Sequence, residues 1–147
     1  MMKENPIGLY VHVPFCDGKC PYCDFYSLRG TEESMDNYTK SIIDYIKYYS
    51  ALISRPADTL YFGGGTPSLL GTRRLAAILD AARHGFTLAD AEITCEVNPT
   101  RNLDAFFPEL YAAGFNRLSI GLQSANEGEL RLLGRRHTCL LYTSRCV

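Results

Sequence analysis

The chain has 147 residues, a formal net charge of −1 and 46% hydrophobic residues, enough for one domain that buries about two-thirds of its unfolded surface. Acidic and basic residues are intermixed with no basic run, which argues against nucleic acid or an anionic membrane surface as partner. No stretch approaches the roughly 20 apolar residues of a membrane span, and Met1-Met2-Lys3-Glu4-Asn5-Pro6 lacks an apolar export segment. The expected location is therefore cytoplasmic, and the six cysteines are expected as reduced thiols.

Gly8 to Val13 is a short β-branched and aromatic run ended by Pro14, which predicts a strand. Side chains alternate along a strand, so Tyr10 and His12 share a face. A lone strand histidine reads as a hydrogen-bonded packing residue. The strand leads into Cys16-Asp17-Gly18-Lys19-Cys20-Pro21-Tyr22-Cys23. Three thiols in one short Gly- and Pro-containing loop can converge on one centre but cannot easily pair among themselves, which predicts a metal or iron–sulfur cradle. A four-iron cubane normally takes four thiolates; three would leave one iron open to bind a ligand. The other reading is a structural zinc site with His12 or a distant Cys as fourth ligand. Structural zinc usually comes as paired knuckles, and no second Cys-x2-Cys is present.

Thr31-Glu32-Glu33 offers an N-cap with acidic first-turn residues. Met35, Tyr38, Ile42, Tyr45, Ile46, Tyr49 and Ile53 follow at steps of three and four, predicting an amphipathic helix whose tyrosine-rich face packs in the core and which ends at Arg55-Pro56. Thr59 to Phe62 is a second strand running into Gly63-Gly64-Gly65-Thr66-Pro67-Ser68, where glycines let the backbone approach a ligand. Thr72 to His84 is a second helix, stopped by Gly85. Glu92 to Val97 is a third strand ending at Asn98-Pro99. Cys95 reads as a buried core residue. Glu96 faces the other way, and a carboxylate near a buried strand end requires a partner, expected to be a ligand hydroxyl or a cation. Leu103 to Ala113 is a third helix despite Pro108, Arg117 to Leu122 a fourth strand, and Glu127 to Leu133 the start of a fourth helix.

Cys-x3-Cys-x2-Cys with Tyr22 just before the third Cys resembles the radical S-adenosylmethionine superfamily. Tyr10-Val-His12-Val-Pro14-Phe15-Cys16 ahead of it is similar to the coproporphyrinogen dehydrogenase branch. That branch holds the oxygen-independent coproporphyrinogen III dehydrogenase, which decarboxylates two propionates, and the HemW-type heme chaperones, which bind heme for delivery. The dehydrogenase carries a further Cys two residues after the third ligand; here Cys23-Asp24-Phe25 tips the resemblance toward the chaperones. The resemblance implies Cys16, Cys20 and Cys23 as ligands of a 4Fe-4S cluster. It implies Tyr10, Tyr22, Gly64, Gly65, Thr66, Glu96, Gln123 and Arg135 as contacts of S-adenosylmethionine. For Arg135 a solvated helix-end cation is an equal alternative. Ala125 stands where an aromatic is usual after the glutamine, a departure expected to loosen local packing. The implied partners are heme or a porphyrinogen, recipient heme proteins and an electron donor.

Four strand-then-helix repeats are the pattern of parallel βαβ units. The expected class is α/β, the N-terminal half of an open TIM-like βα barrel, with residues 1–138 belonging to the radical S-adenosylmethionine core domain. By the resemblance, the complete fold is an open barrel of about six repeats with a C-terminal domain, and that domain and the heme-binding residues largely in it are absent here. Cys139-Leu-Leu-Tyr-Thr-Ser-Arg-Cys146-Val147 fits no helix or strand period and reads as an anomalous tail. With the last strand as an exposed apolar edge, the chain is expected not to fold stably alone.

Overall fold

The computed structural model describes residues 5–88, 90–99 and 103–139. Its elements are β1 (Ile7–Val13), α1 (Glu32–Leu52), β2 (Ala57–Gly64), a 3-10 turn (Pro67–Leu70), α2 (Gly71–Gly85), β3 (Glu92–Val97), α3 (Leu103–Ala113), β4 (Arg117–Ile120) and α4 (Glu127–Leu132). The four strands form one parallel sheet in the order β1-β2-β3-β4. This is the α/β half-barrel expected from the repeats. The read tail from Leu140 to Val147 lies outside the described residues. Cys139 is described, and its backbone N–H donates to Glu127 Oε1 at 2.7 Å.

Alternation along the strands divides the sheet into two chemically different faces. Val11, Val13, Leu60, Phe62, Ile93, Cys95 and Val97 enter one core with Met35 of α1, Leu75, Ile78 and Leu79 of α2 and Leu110 of α3. The residues between them are Tyr10, His12, Tyr61, Thr94, Glu96, Arg117 and Ser119. Cys95 is fully buried in that core, as expected, and burial, with the Glu96 charge adding, pushes its thiol up to about 12.

Local chemistry sets the element boundaries. Thr31 accepts from the backbone of Ser34 at 3.1 Å, while Ser34 Oγ accepts from the backbone of Thr31 at 2.8 Å. That reciprocal capping box, with Glu32 and Glu33 in the first turn, starts α1. Strand β2 runs two residues beyond Phe62 because His12 pairs with Gly63 and Val13 with Gly64. β4 instead stops at Ile120. Arg74 is buried on α2, and its guanidinium donates to Glu32 Oε2 at 2.6 Å and Asp36 Oδ1 at 2.7 Å, tying α2 to α1.

The tyrosine-rich face of α1 corrects the sequence reading. Tyr45 and Tyr49 are 59% and 51% exposed, and only Tyr38 of the three packs against the core. The stripe that is enclosed runs through Met35, Thr39, Ile42, Ile43 and Ile46. At 100° per residue the tyrosines sit on its flank, about 60–100° from its centre. Thr39 belongs to the buried stripe because its hydroxyl donates to Met35 O at 2.7 Å, which satisfies it locally.

Candidate cluster and cofactor site

The loop after β1 is held at its stem by backbone bonds. Leu28 N donates to Pro14 O at 2.8 Å and Cys16 N to Leu28 O at 3.0 Å, closing the loop mouth. Inside it Cys23 N donates to Cys20 O at 3.0 Å, a tight turn at Pro21-Tyr22. Cys16, Cys20 and Cys23 are each half-buried.

The end of β2 is stitched to this stem. Gly65 N donates to Val13 O and Thr66 N to Phe15 O, both at 2.7 Å. The two glycines are required for different reasons. Gly64 has φ +108°, a conformation L side chains rarely adopt. A Cβ on Gly65 would stand 2.6 Å from Phe15 O, 2.9 Å from Val13 O and 3.1 Å from Cys16 Sγ.

From this junction two polar groupings spread along the strand ends. In the first, the Thr66 hydroxyl lies 3.4 Å from Cys16 Sγ and accepts from Asn98 Nδ2 at 3.0 Å. Asn98 Oδ1 accepts from Arg135 Nη2 at 2.8 Å, which also donates to Gly121 O at 2.8 Å. Arg135 Nη1 reaches Cys20 Sγ at 3.8 Å, and its Nε is buried without a partner. Tyr22 lies beside the same pair: burial pushes its hydroxyl up, and the Arg135 charge pulls it down.

In the second grouping Glu96 accepts from the Tyr61 hydroxyl at 2.6 Å through Oε1 and from Gly64 N at 3.2 Å through Oε2. These two protein donors give each carboxylate oxygen one partner and leave it room to accept another. Tyr10 stacks on Tyr61 with ring centroids 6.1 Å apart, and its hydroxyl lies 3.2 Å from His12 Nδ1. Burial, then the hydrogen bond to Glu96, raises the Tyr61 hydroxyl. Burial, then the Glu96 charge, raises that of Tyr10.

The residues expected at the site therefore separate. Cys16, Cys20, Thr66 and Arg135 are linked, as are Tyr10, Gly64 and Glu96, and Gly65 joins the two sets. Gln123 is exposed past β4 with φ +61°, and its amide flanks Gly121 together with Asn98 Oδ1, at the rim of the first set. Two residues were missed: Tyr61, read only as strand, and Asn98, read only as a strand terminator. Alternation alone places Tyr61 on the face of Glu96, so that signal was available.

The two metal readings ask for different arrangements of donors. One zinc ion needs donors closed around a single point at roughly 2 Å, and among the described residues no three His, Cys, Asp or Glu are so placed. A cubane asks for something else, because its thiolates bind separate irons and their sulfurs stay apart. Three half-buried thiols on one eight-residue loop, two of them facing hydrogen-bond donors, fit that demand.

An open parallel α/β sheet with a three-thiol loop and a glycine turn at the C-terminal ends of its strands defines the class, a partial βα barrel with a cysteine loop at its strand ends. Residues 10–139 match the Radical SAM superfamily, and the chain belongs to that superfamily. It is 43% identical over 141 residues to the heme chaperone HemW of Escherichia coli, covering 93% of this chain and 37% of that protein. It is 41% identical to HemW of Mycobacterium tuberculosis, covering 93% and 36%. It is 42% identical to the mitochondrial radical S-adenosyl methionine domain-containing protein 1 of Mus musculus, covering 89% and 30%. Among solved structures, coproporphyrinogen III oxidase (HemN) from Escherichia coli superposes with a TM-score of 0.85 at 33% identity, over 97% of this chain and 33% of that one. The chain thus spans about a third of the length of these relatives.

Proposed function

We propose that this protein is a heme chaperone of the radical SAM superfamily, in which Cys16, Cys20 and Cys23 hold a 4Fe-4S cluster, S-adenosylmethionine sits over the strand ends, and heme is passed to recipient heme proteins in the cytoplasm. Phe25 carries the reading. It is 59% exposed at the position where dehydrogenase-like sequences have a further Cys. The HemW relatives at 43% and 41% identity support it. Among the described residues no helix is long and apolar enough to cross a membrane.

When bound, the cluster and S-adenosylmethionine supply one-electron chemistry. The chain's own tasks are narrower. Gly64 and Gly65 bring backbone close to the cofactor, Glu96 orients its hydroxyls by exchanging Tyr61 or Gly64 N–H for them, and Tyr10 and Tyr22 supply aromatic faces. Arg135 and Thr66 hold the cluster side, and Gln123 closes the far edge.

The similarity to HemN favours a second reading, oxidative decarboxylation of coproporphyrinogen III. Anaerobic reconstitution of the full-length protein decides between them. Stoichiometric heme binding seen as a Soret band, without carbon dioxide release from coproporphyrinogen III, is the expected result. Turnover with no heme bound overturns the chaperone reading in favour of the oxidase.

A further inference from the structure

Two cysteines of the loop are joined through protein groups by one continuous run of hydrogen bonds: Cys16, Thr66, Asn98, Arg135, Cys20. Its polarity is set by chemistry. Arg135 is a permanent cation and can only donate, so Asn98 Oδ1 is the acceptor at 2.8 Å. The amide is thereby oriented with Nδ2 toward Thr66, 3.0 Å away. A hydroxyl that accepts there has its own proton free, and Cys16 Sγ lies 3.4 Å from it. On the other side Arg135 Nη1 points to Cys20 Sγ at 3.8 Å. Every donor in the run is therefore aimed toward a sulfur, and the guanidinium charge polarises the whole series.

Resting on the cluster reading above, we propose that Asn98 is a positioning residue that sets the reduction potential of the cluster by aligning Thr66 and Arg135 onto the sulfurs of Cys16 and Cys20. Reduction adds negative charge to the cluster and its thiolates. Donors aimed at those sulfurs stabilise the reduced form more than the oxidised form, which raises the potential. Asn98 follows β3 (Glu92–Val97) and Arg135 follows α4 (Glu127–Leu132), so the run also ties the cysteine loop to the sheet. Neither function requires Asn98 to touch the cluster or S-adenosylmethionine.

The test compares Asn98→Asp, Thr66→Val and Thr66→Ser in the full-length protein, each reconstituted anaerobically and titrated with EPR detection of the reduced cluster. Asn98→Asp keeps the acceptor for Arg135 but removes the donor to Thr66 and adds a negative charge. Thr66→Val removes the hydroxyl at nearly constant volume, and Thr66→Ser keeps it. We expect Asn98→Asp and Thr66→Val to shift the reduced-to-oxidised ratio about tenfold toward oxidised at fixed potential, equal to about 59 mV for one electron. Thr66→Ser should match the parent. Ratios within twofold of the parent for both Asn98→Asp and Thr66→Val overturn the proposal. If those two variants fail to take up iron and sulfide while Thr66→Ser takes up both, the alignment of the thiolates is supported directly; failure of Thr66→Ser as well overturns it. A parent protein that acquires no iron–sulfur signal sinks the cluster reading and this inference with it, whereas a normal parent with unmoved variants sinks only the inference.

Discussion

Replacing Gly65 by alanine should be the most damaging single-methyl change in the site, and the structure gives its size. The added Cβ would lie 2.6 Å from Phe15 O and 2.9 Å from Val13 O, against roughly 3.3 Å or more for comfortable carbon–oxygen contact. Both oxygens are backbone, so no side chain can rotate away; the loop stem must move by roughly 0.7 Å to restore that distance. That movement would stretch the two 2.7 Å bonds that join β2 to the cysteine loop past the normal range. Losing two such bonds costs about 1 kcal/mol each, and overpacking adds about 1–3 kcal/mol, giving about 3–5 kcal/mol together. Gly71 is the control. It has φ +74° and ψ 159°, a backbone region nearly restricted to glycine, but nothing within 4 Å of its built Cβ, so Gly71→Ala meets only a backbone penalty of about 1–3 kcal/mol. Urea unfolding of the full-length variants measures both costs, and iron content after reconstitution reports the loop. A Gly65→Ala variant no less stable than Gly71→Ala, with parental iron content, would refute the steric argument.

Three further outcomes follow from individual groups. Cys95 is fully buried and its thiol is pushed up to about 12, so iodoacetamide at pH 8 should label Cys16, Cys20 and Cys23 of the folded, cluster-free protein and leave Cys95 intact in a peptide mass map. Because the unfolded thiol ionises from its ordinary value of 9.0 upward, the folded state holds the extra proton and stability should fall between pH 9 and about 12; Cys95→Ala should remove that slope. His137 is 8% exposed and its imidazole is held below the ordinary 6.5, by burial first and then by Arg135. The unfolded state then binds the proton more readily, so stability should be lost as pH falls below about 6.5, and the loss should be smaller in His137→Gln when melting temperatures are compared at pH 7.5 and 5.5. Tyr61→Phe removes the 2.6 Å donor to Glu96, a change of about 1–3 kcal/mol at a charged acceptor, and calorimetry with S-adenosylmethionine should show at least a fivefold change in affinity; an unchanged constant would place Glu96 outside the cofactor site.

The parts of the fold carried by local chemistry were legible in the sequence. Thr31 caps α1 with Glu32 and Glu33 in the first turn, and alternation separates Cys95 from Glu96. What could not be read depended on partners distant in the chain. Gly63 and Gly64 are poor strand residues by propensity, yet pairing with His12 and Val13 keeps them in β2. Steps of three and four along α1 run equally well through its tyrosines, whereas the buried stripe includes Thr39, whose hydroxyl is satisfied by Met35 O. Asn98 before Pro99 is an ordinary strand stop, and nothing local reveals that Thr66 and Arg135 meet at its amide.

The two faces of the sheet explain why the chemistry collects where it does. Among the described residues, the core side chains of α1, α2 and α3 pack on the Val11, Phe62 and Cys95 face, while the other face carries Tyr10, Tyr61, Glu96 and Arg117. Its polar side chains satisfy one another across strands instead: Tyr61 with Glu96, Arg117 with Thr94 at 3.3 Å and with Glu92 at 3.5 Å. A wall built that way can exchange an internal partner for a ligand group without exposing hydrophobic core, and Glu96 can release Tyr61 or Gly64 N–H at the cost of about one hydrogen bond. The same division leaves β4 as an edge. Ile120 is exposed there, and Phe107, Leu110, Phe115 and Leu118 line an apolar groove of about 320 Å³ beside it. Among the described residues β4 ends the sheet, and an exposed strand edge offers backbone groups for pairing. Arg135, which reaches Cys20 Sγ, also donates to the carbonyl of Gly121 just past β4, so protecting that edge should raise iron retention after reconstitution, and unchanged retention would refute the coupling.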